Sequence, residues 1–161
     1  MDLILWRHAI AVDGNDSIDD LQRTLTAQGE AQAAEMAQWL KRHLPKSYTL
    51  LCSPALRTRQ TVMHLDKKNY QICPEIAPDA PVEQLLQAAN WPNNKQTVVV
   101  VGHQPTLGLT AQHLLGMQAF HGVLHGPLCD FQRIQRICIR HPVKPSKYLH
   151  RRALDVVRST S

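Results

Sequence analysis

Short apolar runs alternate with amphipathic stretches over the first 116 residues of the chain. Leu3-Ile4-Leu5-Trp6 reads as a buried strand cut off by Arg7-His8, and a loop rich in Asp, Gly, Asn and Ser follows at Asp13–Asp20. Thr26 stands where an N-cap is needed. Beyond it Ala33, Ala37, Leu40 and Leu44 recur at spacings of three and four, which predicts a helix over about 27–44 ended by Pro45. Tyr48–Cys52 reads as a second strand, Leu56–Leu65 as a second helix and Gln71–Ile76 as a weaker third strand. Pro81–Trp91 is predicted as a helix with proline at its start, where the missing N–H costs little. Gln96–Val101 is the clearest strand: its unbroken valine run suits burial on both faces. A helix over Pro105–Leu115 should then end at Gly116.

This rhythm predicts an α/β fold, a mostly parallel sheet covered by helices on both faces, in one domain spanning residues 1–161. The stretch after Gly116 is less regular. Phe131, Ile134, Ile137 and Ile139 offer one more strand or a short helix, with mixed periodicity. Apolar residues at 43% and charged residues at 19% are ordinary globular composition and exclude a disordered or fibrous chain. The longest apolar runs fall far short of the roughly 18 residues a membrane span needs, and the start of the chain lacks the pattern of a secretory signal. Cys52, Cys73, Cys129 and Cys138 lie far apart without a C-x-x-C pair, so neither a disulfide framework nor a zinc finger is indicated. A reducing, cytoplasmic setting is the expectation.

The formal net charge of +5 is unevenly placed: residues 1–120 hold ten Lys/Arg and eleven Asp/Glu, residues 121–161 eight and two. A basic C-terminal quarter can contact nucleic acid or an acidic partner. No aromatic interleaving or nucleic-acid motif accompanies it, so a solvated surface is the simpler reading and nucleic acid is not expected as a partner.

In open α/β sheets ligands bind beyond the C-terminal ends of the strands. The first strand runs into Arg7-His8, the second into Ser53-Pro54 with Arg57 one helical turn on, and the valine strand into Gly102-His103. If these ends are neighbours, two histidines and two arginines meet in one small volume, and the matching guest is a phosphoryl group or another oxyanion.

Leu5-Trp6-Arg7-His8-Ala9 resembles the L-x-R-H-G/A signature of the histidine phosphatase (phosphoglycerate-mutase-like) superfamily. Leu25-Thr26-Ala27-Gln28-Gly29 is similar to its L-T-x-x-G segment, Ser53 to Thr61 to its S-P-x-x-R-x-x-Q-T motif, and Val101-Gly102-His103 to its late V-G-H segment. Each motif alone is weak, whereas four in order at element boundaries form a strong joint signal. The short length leaves no room for a large cap insertion and most resembles the SixA-type phosphohistidine phosphatases. The resemblance implies His8 as nucleophile, with Arg7, Arg57 and His103 holding the phosphoryl oxygens and Ser53 as a further phosphate contact or a turn residue. No cofactor or metal is implied, because arginines neutralise the phosphoryl charge.

The general acid is the weak point of the pattern. Phosphomonoester hydrolysis benefits from a carboxyl that protonates the departing alkoxide. The candidates are Glu75 and Asp79, and neither sits in the Gly- and Trp-rich motif of larger relatives. A phosphohistidine carries a better leaving group, so a protein such as a phosphorylated histidine phosphotransfer domain is the expected partner. A small-molecule phosphomonoesterase is the alternative enzyme. A non-catalytic phosphate- or nucleic-acid-binding protein using the basic tail is the alternative from another class. His121 and His125 with Cys129 and Cys138 fit no zinc pattern, so no metal site is expected there. His43, His64, His113, His141 and His150 read as structural or surface residues, and Arg59, two positions after Arg57, should face away from the site. The basic stretch 133–161, with Pro142 and Pro145, departs from the final sheet strand usual in such relatives, through an extension or an altered reading frame. Losing that strand would leave an open sheet edge for a dimer contact to cover.

Overall fold

The computed structural model describes residues 2–15, 17–115, 134–140 and 154–158. Its framework is a six-stranded sheet of β1 (Asp2–Arg7), β2 (Tyr48–Cys52), β3 (Gln71–Ile72), β4 (Thr97–Gly102), β5 (Ile134–Arg140) and β6 (Leu154–Arg158), in the spatial order β3-β2-β4-β1-β5-β6. The four strands from β3 to β1 are parallel, and β4 lies between β1 and β2 with Val101 opposite both Trp6 and Cys52. The α/β class expected from the valine run therefore holds, and the run occupies the centre of the sheet because it is apolar on both faces.

Four helices cover the parallel part: α1 (Ala27–His43), α2 (Leu56–Met63), α3 (Val82–Ala88) and α4 (Thr106–Leu115). Alternate residues along each strand feed two separate cores. Leu3, Leu5, Val98 and Val100 pack with Leu85, Ala89, Leu107 and Ala111 of α3, α4 and their ends. Ile4, Trp6, Val99 and Val101 pack with Met36, Ala37, Leu40 and Val62 of α1 and α2. The period-two alternation of strand side chains thus splits one apolar run between two helical layers.

Several element limits are shorter than the periodicity suggested. The segment 71–76 is a two-residue strand followed by a 3₁₀ turn over Pro74–Ile76, since proline cannot donate to a continuing ladder. The third helix stops at Ala88, and Asn90 takes a left-handed conformation just beyond it. Pro81 lies at its N-cap.

The tail requires a correction. The sheet edge at β1 is not left open: β5 pairs antiparallel with β1 from Asp2↔Arg140 to Trp6↔Arg136, and β6 pairs antiparallel with β5. Alternate apolar residues at 137 and 139 were a strand signal that the neighbouring charges obscured. With β5 paired there, β1 offers no open edge for a dimer contact to cover. Phe131, His121, His125, Cys129, His141, Pro142, Pro145 and His150 lie outside the described residues, as does Gly116. No helix among the described residues is long and apolar enough to cross a membrane.

Candidate active site

Three parallel strands end side by side, and each delivers one part of the cluster. The His8 N–H donates to the Gly102 carbonyl at 3.1 Å and the Ser53 N–H to the Val101 carbonyl at 3.0 Å, so both residues are pinned to the exit of β4. His103 follows directly. The His8 and His103 rings stand with centroids 5.2 Å apart, tilted by 55°. Arg57 comes from the first turn of α2, which begins just past Ser53, and its Nη2 faces His103 Nδ1 at 3.3 Å. Arg7 closes β1, half-buried, opposite Gly102. His8, His103 and Arg57 lie against one another, and the Arg7 guanidinium is near enough to act electrostatically on both histidines.

The hydrogen bonds fix both histidine tautomers. His8 Nδ1 lies 2.7 Å from the Ala9 carbonyl oxygen, which can only accept, so the ring proton is on Nδ1 and Nε2 carries the lone pair. An arginine can only donate, so His103 Nδ1 is the accepting nitrogen. Its Nε2–H then donates to Ser53 Oγ at 2.7 Å. Ser53 is fully buried and its hydroxyl meets His103, which explains its place in the motif.

Both rings are held neutral. Burial is the main cause that lowers the His8 pKa to about 4; the Ala9 carbonyl opposes it, and the guanidiniums of Arg57, Arg7 and Arg23 reinforce it. His103 is lowered to about 3, again by burial first, then by His8 and Arg57, with Asp20 opposing and Arg7 adding a smaller push. The cluster therefore combines fixed positive charge with an unprotonated imidazole nitrogen, an arrangement suited to gripping an oxyanion and attacking it.

The other motif letters are ties between loops. Ala9, one residue past the imidazole, donates its N–H to Thr61 Oγ1 at 3.1 Å, and Thr61 Oγ1 in turn donates to the Arg57 carbonyl at 2.7 Å. Gln60 Oε1 accepts from the Leu25 N–H at 2.8 Å. Thr26 caps α1 by accepting from the Gly29 N–H at 3.0 Å, the structural role expected for it. A Cβ on Gly29 would overlap the Ile10 carbonyl oxygen, so glycine is required where α1 starts against the loop after His8.

The carboxyl candidates are elsewhere on the rim. Glu75 is exposed and accepts from the Cys73 thiol at 3.1 Å, and that hydrogen bond holds its pKa below the usual value. Asp79 is exposed in a left-handed conformation. Arg59 is exposed as expected. His43 and His113 are exposed, and half-buried His64 pairs with Glu30 at 2.6 Å. No cluster of three or more metal-ligating side chains occurs among the described residues.

Sequence reasoning missed Asp20, Arg23, Gln60 and Thr61 as parts of this assembly. Asp20 Oδ2 accepts from Arg57 Nη2 at 2.8 Å and Asp20 Oδ1 from Arg23 Nη1 at 2.8 Å. The available signal was electrostatic: a buried Arg57 needs a counter-charge, and the loop after His8 is the acidic part of the chain.

Residues 3–79 match the model of the histidine phosphatase superfamily, branch 1. A protein of uncharacterized function from Picosynechococcus is 34% identical over 129 residues, covering 75% of this chain and 77% of the relative. The crystal structure of a candidate phosphohistidine phosphatase SixA from Agrobacterium tumefaciens superposes with TM-score 0.72 at 25% identity, over 86% of this chain and 90% of that one. A protein histidine phosphatase SixA complexed with tungstate superposes with TM-score 0.62 at 26% identity, over 71% and 76% of the two chains. With its motifs at three adjacent strand ends, this chain belongs to the histidine phosphatase superfamily.

Proposed function

We propose that this phosphatase removes the phosphoryl group from phosphohistidine on a protein, by way of a transient phosphohistidine at its own His8. The observation that carries the reading is the His8–His103 pair beside Arg57, with His8 Nδ1 tied to the Ala9 carbonyl so that Nε2 is the nucleophile. In the first step the His8 Nε2 lone pair forms a bond to phosphorus, the substrate P–N bond breaks, and the departing imidazole takes a proton from solvent. In the second, water attacks the phosphorylated His8 and releases inorganic phosphate, leaving the ring neutral again. Arg7 and Arg57 stabilise charge on the equatorial oxygens, and His103 joins them as a donor when its Nε2–H turns from Ser53 Oγ to the phosphoryl group. The guanidiniums supply the charge neutralisation, so no metal is invoked.

The nature of the leaving group supports a phosphohistidine over a phosphomonoester. An alkoxide needs a proton donor, and the carboxyl candidate Glu75 is exposed with a lowered pKa, while Asp20 is held ionised by Arg23 and Arg57. The phosphatase assay pairs the protein with a phosphorylated histidine phosphotransfer domain, with and without EDTA. Phosphate release should survive the chelator and vanish in His8→Ala. Rapid turnover of a sugar-phosphate panel that Glu75→Gln abolishes would instead establish a small-molecule phosphomonoesterase. Salt-sensitive nucleic-acid binding lost on truncating residues 133–161, with no hydrolysis, would establish a non-catalytic binder.

A further inference from the structure

Arg57 has five N–H donors in a planar fork, and the structure shows how they are divided. Its Nη1 donates to the Asp20 backbone carbonyl and its Nη2 to Asp20 Oδ2 at 2.8 Å. These two nitrogens form the outer, end-on edge of the guanidinium. The second Nη2 hydrogen faces His103 Nδ1 at a long 3.3 Å, and Nε, although buried, has no partner among the described residues. Nε and Nη2 form the side edge, which therefore lies on the His103 side: its Nε–H is unpaired there, and its Nη2–H makes only the long bond to His103 Nδ1, which an incoming acceptor oxygen can replace. Asp20 itself is held from behind, because Arg23 Nη1 donates to its other oxygen at 2.8 Å while Arg23 Nε donates to the Val12 carbonyl at 2.8 Å.

We propose that Asp20 is the positioning residue for the oxyanion grip: clamped by Arg23, it engages the outer edge of Arg57 and turns the Nε/Nη2 edge toward His103 and the phosphoryl group. The inference rests on the functional reading above and adds a residue that touches no substrate. A carboxylate that merely plugged the pocket would occupy the side edge and would have to leave when phosphate arrived. Asp20 occupies the opposite edge, and its backbone carbonyl takes one of the two bonds, so substrate and Asp20 hold Arg57 together. The Arg57 side chain is 5% exposed and that of Asp20 54% exposed, so the carboxylate also gives a buried cation its counter-charge from the solvent side.

The experiment compares Asp20→Ala and Asp20→Asn with the full-length wild-type chain and with Asp13→Ala, an exposed loop carboxylate, as control. Binding of orthovanadate and of inorganic phosphate is measured by calorimetry, alongside the thermal midpoint of each variant. Orthovanadate adopts the five-coordinate geometry of transfer, so a misaligned guanidinium should weaken it about tenfold in Asp20→Ala and phosphate only about threefold. Asp20→Asn keeps an acceptor oxygen and should fall between Asp20→Ala and wild type in anion binding, with a midpoint lowered less than that of Asp20→Ala. It carries the comparison if Asp20→Ala does not fold. Equal or tighter orthovanadate binding in the variants would overturn the clamp, as would equal losses for the two anions that track a lowered midpoint. Because calorimetry needs no turnover, a wild-type protein that binds orthovanadate but leaves phosphohistidine intact would sink the functional reading and still decide the role of Asp20.

Discussion

Two stretches of one rim, both at the C-terminal ends of the parallel strands, have opposite physical characters. At the centre, beyond β1, β4 and β2, side chains are buried, hydrogen-bonded to one another and tied to neighbouring strand ends. At the β3 edge, Cys73 and Glu75 sit in a 3₁₀ turn, with Glu75 in solvent and its carboxyl held in the ionised form. The centre keeps its imidazoles neutral because burial and the neighbouring guanidiniums both disfavour a further positive charge, and it keeps Arg57 charged because Asp20 offsets that charge from the solvent side. The edge cannot raise the pKa of a carboxyl, because solvent stabilises its charge. A protein with this contrast is equipped to grip and attack a phosphoryl group, and poorly equipped to donate a proton to its leaving group.

The largest expected effect comes from the centre. His8→Ala removes the attacking nitrogen and should lower phosphohistidine hydrolysis by about a thousandfold or more. Incubation of wild type with the phosphorylated donor, followed by acid-labile label detection, should show phosphate on the protein, and the variant should show none. Label on His8→Ala would move the nucleophile elsewhere. Arg57 comes next. Arg57→Lys keeps a charge but has no side edge to offer two oxygens, so kcat/KM should fall about a hundredfold, and in Arg57→Ala further. A Lys variant near wild type would mean that charge alone, without the fork, explains the grip.

Acidification sharpens the same contrast. A histidine with an ordinary pKa of 6.5 would lose nucleophilicity below that pH, but burial and three guanidiniums lower His8 to about 4. The acidic limb of the kcat/KM profile for phosphohistidine transfer should therefore fall near pH 4. Stability follows by linkage. Unfolded histidines take up protons near 6.5, while the folded rings of His8 and His103 wait until about 4 and about 3. In that interval the unfolded state binds more protons, so the contribution is intact above pH 6.5 and is lost as pH drops below it. His103→Asn should flatten the pH dependence of the melting temperature between pH 6.5 and 4. An unchanged slope would show that the ring is not buried in neutral form.

Sequence periodicity was enough for the parallel body because its signals are local. The valine run, the alanine stripe of α1 and the polar residues that end three strands each lie within a few residues of one another. The convergence of Arg7, His8, Arg57 and His103 was legible for the same reason: strand ends in such a sheet share a rim. What was not legible depends on pairings between distant segments. Asp20 is one of several acidic residues in its loop, and its bond to a guanidinium 37 positions away leaves no periodic trace. Thr61 and Gln60 were visible as motif letters, but their work is on Ala9 and Leu25, which the fold brings close and the chain does not. The antiparallel strand at 134–140 was obscured because its polar positions are basic and resemble a solvated tail.

The smallest expected effect tests the edge. Glu75 receives a hydrogen bond from the Cys73 thiol, which stabilises the carboxylate, and it is fully accessible to water. A group in that state gives up no proton to a leaving group at neutral pH, and Glu75→Gln should change kcat/KM for phosphohistidine less than about twofold. Cys73→Ala should be equally mild, since removing the thiol only returns the carboxyl toward its ordinary range. The same pair measured on phosphomonoesters is the more demanding comparison. If turnover there is slow and insensitive to Glu75→Gln, the edge contributes nothing to leaving-group departure and the central cations account for the chemistry. If Glu75→Gln abolishes a fast phosphomonoesterase activity, the edge must close over the substrate far enough to bury that carboxyl and raise its pKa, and the contrast between the two stretches of rim would not survive substrate binding.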